Sequence, residues 1–187
     1  MGGEEVSALF KEKAAAVQAV VSMVSDVGEA LAYAVDLTAG QGGTVIAAPG
    51  WDGPHFQALA DLAAARGLTA LNSGLRDRAR GLHTGLTWAD WGVAETGTLV
   101  CDSTDEDYRL ATMLVNTHVA ILPASRLRGS LMELGPELVA LQGRTPRYLA
   151  CISGASRTAD IERVLTIGVH GPEELHILIL AGEDDHA

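Results

Sequence analysis

Three short segments carry the residue types that chemistry needs. The first is Ala94-Glu95-Thr96-Gly97-Thr98-Leu99. Glu95 is a candidate general base, or a carboxylate nucleophile if its neighbours tune it. Gly97 permits positive φ and close approach of a ligand to the backbone. The other reading is a polar hairpin tip, with Thr96 and Thr98 satisfying the turn. The second segment is Ser153-Gly154-Ala155-Ser156-Arg157-Thr158-Ala159-Asp160-Ile161-Glu162, which reads as strand, turn and helix, the helix running from Thr158 to Ile167. Free N–H groups at a helix start hold a phosphate or carboxylate, and Arg157 adds a fork of donors. Ser153, Gly154, Ser156, Arg157 and Thr158 therefore join Thr96, Gly97 and Thr98 as candidate ligand-binding residues. Asp160 and Glu162 already complement the helix dipole, so an ordinary cap by Thr158 or Ser156 is the alternative. The third segment is Gly168-Val169-His170-Gly171-Pro172. His170 is a candidate acid, base or ligand, or a turn histidine bonded to backbone.

Common motifs are missing. There is no P-loop, no dinucleotide-binding glycine fingerprint and no nucleophile elbow. The histidines at 55, 83, 118, 170, 176 and 186 form no i, i+4 pair and no H-E-x-x-H, so no metal site is expected. His118 and His176 open apolar strands and read as core or edge histidines. Trp88 and Trp91 read as core packing or a pocket wall.

The elements that must position these residues alternate in period. Glu4 to about Asp36 reads as one long helix, with Phe10, Val17, Val20, Val21, Val24, Val27 and Leu31 at helical spacing. Thr44–Ala48, Leu68–Leu71, His118–Leu122, Tyr148–Ile152 and Leu175–Leu180 read as strands. Helices are expected from Pro54 to Arg66, from Thr104 to Val115 and around Leu131–Leu141, while Asn72–Thr87 reads as loop. Apolar strands separated by amphipathic helices predict an α/β fold, a mostly parallel sheet flanked by helices, with an N-terminal helix. The expected division is an N-terminal helical segment, 1–40, and an α/β domain, 41–187. In such sheets ligands sit beyond the carboxyl ends of the strands. The loops at Pro49-Gly50-Trp51, Asn72-Ser73-Gly74, Pro123-Ala124-Ser125 and Ser153–Ser156 are therefore expected along one rim.

Composition limits the function classes. The 187 residues are 48% hydrophobic and 20% charged, an ordinary globular balance. A formal net charge of −11 argues against nucleic acid and anionic membranes as partners. No apolar run reaches the roughly 18 residues of a membrane span, and the N-terminus lacks a signal-peptide pattern. A cytoplasmic location is expected. With Cys101 and Cys151 alone, neither a disulfide framework nor a four-thiolate iron–sulfur cluster is expected, and no cofactor is assigned.

The order of Ala94–Leu99, His118–Leu122, Ser153–Glu162 and Gly168–Pro172 resembles the lactate utilization protein C family, the LUD domain, from about Trp88 to Leu180. Ala155 stands where that family usually has Pro. The resemblance implies a fold of the ribose phosphate isomerase / CoA transferase type. It implies a role in oxidising L-lactate to pyruvate beside partner proteins, at least one of which carries iron–sulfur clusters. The chain would be a non-redox component, its candidate residues lining a pocket for a small carboxylate or phosphate anion. Two alternatives stay open. One is acyl or CoA transfer, or sugar-phosphate isomerisation, using Glu95, whose turn is similar to the Glu-x-Gly turn of CoA transferases. The other is an interaction module without its own ligand, built on the N-terminal helix and Trp88/Trp91.

Overall fold

The computed structural model describes residues 2–141, 147–158, 166–167 and 170–181. In chain order the elements are α1 (Gly3–Ala16), β1 (Val20–Val24), α2 (Val27–Gly40), β2 (Val45–Ala47), α3 (Gly53–Ala65), β3 (Thr69–Leu71), β4 (Thr84–Trp88), β5 (Trp91–Val93), β6 (Thr98–Asp102), α4 (Glu106–Met113), β7 (Thr117–Pro123), β8 (Leu127–Arg128), α5 (Gly135–Leu141), β9 (Leu149–Ile152), β10 (Arg157–Thr158), β11 (Thr166–Ile167) and β12 (Glu174–Leu180).

Six strands form one sheet in the order β1-β12-β7-β4-β2-β3, every pairing parallel. The expected α/β class is what the chain adopts. β7 and β12 are apolar nearly throughout because both of their faces are covered. On one face Leu86, Val119, Ile121 and Leu178 pack against Leu31, Ala34 and Val35 of α2 and Leu59 and Ala63 of α3. On the other, Ala120, Leu122, Ile177 and Ile179 meet Phe10 and Ala14 of α1 and Leu99 and Cys101 of a second sheet. That second sheet has the order β8-β5-β6-β9. Its outer side, Trp91, Val93 and Val100, packs on Leu134, Leu138 and Leu141. Among the described residues no helix is long and apolar enough to cross a membrane.

Four expectations are corrected. The single helix over Glu4–Asp36 is helix, strand, helix. Gln18 takes φ 65°, which ends α1, and the β-branched run that follows pairs with β12. Asp26 then restarts a helix by accepting the Glu29 N–H at 2.9 Å. The expected loop over Asn72–Thr87 contains β4, at the centre of the sheet. Its Thr-Gly-Leu-Thr-Trp composition hides it, and its hydroxyls are satisfied internally: Thr38 Oγ1 donates to Thr84 Oγ1 at 2.7 Å. The expected helix over Thr158–Ile167 is strand at both ends, since Arg157 and Thr158 pair antiparallel with Ile167 and Thr166. Residues 159–165, including Asp160 and Glu162, lie outside the described residues, as do Gly168 and Val169. The Ser153 loop does not share a rim with the others, because β9 belongs to the second sheet and pairs antiparallel with β6.

Candidate functional site

The second sheet is the device that places the candidate residues. The β5–β6 hairpin starts beside the carboxyl end of β4, runs back along the main sheet, turns at Glu95–Gly97 and returns. Its open end is tied by the Asp102 N–H donating to Asp90 Oδ2 at 2.6 Å. At about 3.3 Å per residue the tip lies on the order of 15 Å from that end. Gly97, with φ +63°, lies against the end of α1, where a Cβ would come 2.2 Å from the Ala14 nitrogen.

The turns the sequence singles out meet near the amino edge of the main sheet. Thr98 Oγ1 and Ser153 Oγ are 2.7 Å apart. The Ser156 N–H donates to the Pro172 carbonyl at 2.9 Å, which draws the His170–Pro172 turn onto the Ser153–Ser156 loop. Arg157 Nη2 donates to the Val17 carbonyl at 2.6 Å. Exposed Glu95 accepts the Leu131 N–H at 2.9 Å through Oε1. Thr96 is exposed at the tip. Thr158 lies in β10. Among the described residues no bond joins Glu95 to Arg157.

Two clefts flank the centre of the sheet. One, of about 230 Å³, lies at the carboxyl ends of β2, β4 and β7, lined by Gly50, Trp88, Asp90, Asp102, Tyr108 and Arg126 among others. It is the switch point of the topology, since β2 is followed outward by β3 while β4 leads the other way.

The second is a cavity of about 150 Å³ between α4, β9 and the amino-terminal halves of β7 and β12. Met113, Ala150, Ile152, Pro172 and Leu175 give it apolar walls, and Gly154 of the expected set also lines it. Its polar groups are Ser103, Arg109, Thr112 and His118. Ser103 Oγ donates to the Tyr148 carbonyl, and Thr112 Oγ1 to the Arg109 carbonyl. Arg109 Nη1 donates to the carbonyls of Ser103 and Thr104, at 2.6 and 2.7 Å. The guanidinium's remaining donors have no hydrogen-bond partner among the described residues. A neighbouring open groove, lined by His170, shares Met113 with this cavity.

His118 is 1% exposed. Its Nε2 lies 2.9 Å from Thr87 Oγ1, and its Nδ1 has no hydrogen-bond partner among the described residues. Burial disfavours the imidazolium and pushes its pKa down to about 4. The ring is therefore neutral at pH 7. In the unfolded chain the same ring takes a proton near 6.5. Between those values the unfolded state binds more protons, so stability is full above pH 6.5 and falls as pH drops toward 4. The loss from this group is on the order of 3 kcal/mol. His118→Asn is expected to flatten that part of the profile, checked by urea denaturation at pH 7 and pH 4.5.

α4 is set by two close contacts. Asp107 accepts the N–H groups of Gly74 and Leu75 at 2.7 and 3.0 Å. Gly85 of β4 lets the helix backbone touch the strand: a Cβ there would come 1.8 Å from the Ala111 carbonyl oxygen. The same helix carries Tyr108, Arg109 and Thr112. Sequence reasoning did not single out Arg109, and it read His118 as a core or edge histidine. The available signal was His118 itself, an ionisable residue beside the apolar run Val119–Leu122.

A family model described as the LUD domain matches residues 7–180. Lactate utilization protein C of Halalkalibacterium halodurans is 38% identical over 101 residues, 52% of this chain and 44% of that protein. Lactate utilization protein C of Deinococcus radiodurans is 34% identical over 105 residues, 56% of this chain and 48% of that protein. The matched part thus spans about half the length of these curated relatives. A crystal structure of a DUF162 family protein from Deinococcus radiodurans superposes with a TM-score of 0.65 at 21% identity, covering 97% of this chain and 99% of that one. That likeness is one of fold.

Proposed function

The chain belongs to the LUD domain family, and from that premise we propose that it serves lactate utilisation by holding lactate or pyruvate in the cavity between α4, β7 and β12. The observation that carries the reading is the lining of that cavity: Arg109 and the neutral His118, with two hydroxyl residues, Ser103 and Thr112, bonded to backbone carbonyls and apolar residues around them. A three-carbon 2-hydroxy or 2-oxo acid has the matching parts. Its carboxylate takes the Arg109 donors left over from the Ser103 and Thr104 carbonyls, a charge-assisted pair that offsets desolvation of both ions. Its C2 oxygen faces His118. Its methyl group packs on Ile152 and Leu175. The volume of about 150 Å³ equals roughly five water volumes of about 30 Å³ each, a space for a molecule of that size.

In this reading the chain is a cytoplasmic, non-redox component acting beside iron–sulfur proteins that take the electrons. It has two cysteines, and a cluster usually takes four thiolates. Burial pushes the Cys101 thiol up to about 12, away from the thiolate a metal ligand needs. Gly154 on the cavity wall and His170 on the adjoining groove connect the site with the segments that carry the family resemblance.

Titration calorimetry with L-lactate, pyruvate and inorganic phosphate tests the proposal. A six-atom ligand supports a Kd of about 1 mM. Binding of at least one of the two organic acids near that value, lost in Arg109→Met, is the expected result. No heat from either acid at tens of millimolar, roughly ten times that Kd, would overturn it.

A further inference from the structure

The floor of the cavity comes from neighbouring parallel strands, and their register decides which side chains stand together. Leu175 of β12 is the partner of His118 of β7. Adjacent strands lie about 4.8 Å apart, and partners in register point to the same face. Ala120 and Leu122 on β7, and Ile177 and Ile179 on β12, continue that face in steps of two and pack in the layer between the two sheets. His118 and Leu175 therefore stand side by side and face the cavity. On its other side His118 is paired with Gly85 of β4. There α4 takes the space, since a Cβ on Gly85 would come 1.8 Å from the Ala111 carbonyl oxygen. Opposite this floor α4 presents Arg109, Thr112 and Met113, at the i, i+3, i+4 spacing of one helix face. The walls differ in how far they can yield. Leu175 is 1% exposed and belongs to the cluster that holds Phe10, Ala14 and Ala19, so close packing leaves it no room to retreat. Met113 ends α4 and is 54% exposed. Ile152 ends the edge strand β9 and is only partly buried.

We propose that Leu175 sets the chain length of the acid the cavity accepts, admitting a single methyl group on C2 and refusing longer side chains. This rests on the proposed function and names the substrate class of that site. With the carboxylate on Arg109 and the C2 oxygen toward His118, the remaining carbon on C2 has one way to run along the floor. The Gly85 side is closed by α4, so that carbon meets Leu175. A methyl group fills the contact. Glycolate has a hydrogen there and leaves it empty. The isobutyl group of 2-hydroxyisocaproate would have to displace a side chain that its own neighbours hold in place. Leu175 is thus a specificity-determining residue, and its position beside His118 is fixed by strand register alone.

Titration calorimetry on the full chain tests this with acids that differ only in the group on C2: glycolate, L-lactate, (S)-2-hydroxybutyrate and (S)-2-hydroxyisocaproate. L-lactate is expected to bind tightest, with glycolate about tenfold weaker, the worth of one missing methyl group. (S)-2-hydroxyisocaproate is expected to be roughly 30-fold weaker or more. Leu175→Ala removes three carbons from the floor and should reverse the order, with (S)-2-hydroxyisocaproate about tenfold tighter than lactate. Leu175→Val removes one carbon and should move the optimum to (S)-2-hydroxybutyrate, which covers the case of a poorly folded alanine variant. Ile177→Val is the matched control. Ile177 is buried on the same strand and face but does not line the cavity, so its loss of one carbon should leave the order as it was. An order unchanged in a folded Leu175 variant would overturn the inference while leaving the ligand site standing. So would (S)-2-hydroxyisocaproate bound as tightly as lactate by the unmodified chain, or an order shifted equally by Ile177→Val. Binding of none of the four acids would overturn the proposed function and the chain-length limit with it.

Discussion

Arg109→Met is expected to weaken lactate binding roughly 30- to 150-fold, corresponding to about 2–3 kcal/mol for a charge-assisted contact to a carboxylate. The expectation follows from the lining of the cavity, where Arg109 stands among otherwise uncharged groups. Arg109 also holds the carbonyls of Ser103 and Thr104, just ahead of α4, so the variant will lose some stability as well. The two effects separate by experiment. Calorimetry gives the binding loss, and a urea midpoint gives the folding loss. Arg109→Lys keeps the charge but not the fork. It should recover part of the binding and little of the tie to both carbonyls. If Arg109→Met binds lactate as the unmodified chain does, the carboxylate lies elsewhere.

Gly85→Ala is expected to be among the most damaging single-methyl changes. The added Cβ would meet the Ala111 carbonyl oxygen at 1.8 Å. Both atoms belong to backbone in the middle of elements, so neither can rotate away, and α4 must lift off β4. Overpacking ordinarily costs about 1–3 kcal/mol and more where backbone has to move; about 3 kcal/mol or more is expected here. For a domain of this size that is a fall of roughly 6–12 °C in Tm. Lifting α4 also moves Arg109, so lactate binding should weaken in the same variant. Gly40→Ala is the control. Gly40 ends α2 with nothing within 4 Å of a built Cβ, and the change should be neutral or slightly stabilising. A thermal scan of the two variants checks both statements.

How far these features were legible in the sequence differs by element. β7, β12 and β2 were readable because burial on both faces demands unbroken apolar runs. Gly97 at the hairpin tip was readable because a turn with positive φ favours glycine. β1 was not, since Val20, Val21 and Val24 fit a helical stripe continued from Phe10 and Val17. The strand wins only because β12 offers it a partner, and that is tertiary information. β4 was hidden for a different reason. Gly85 is there to admit α4, Thr84 and Thr87 to satisfy buried partners, and each of these needs removes an apolar residue from the pattern. The site was hidden because its walls come from α4, β7, β9 and the start of β12, and no local spacing encodes that convergence. The sequence-derived turns around Ser153 and Pro172 do come together, at the edge of that cavity. The Glu95 and Arg157 side chains bond instead to the Leu131 N–H and the Val17 carbonyl.

Everything proposed for the cavity requires a small acid to bind beside His118, inside the layer between the two sheets. The most direct measurement is a titration of L-lactate into the protein labelled with nitrogen-15 at histidine, following all six imidazoles. A saturable change at the His118 ring nitrogens is expected, with a midpoint near the calorimetric Kd and little movement of His55 and His83. A His118 signal unmoved by saturating lactate, while His170 or groups around the Glu95 turn respond, would contradict it and place the ligand outside the cavity.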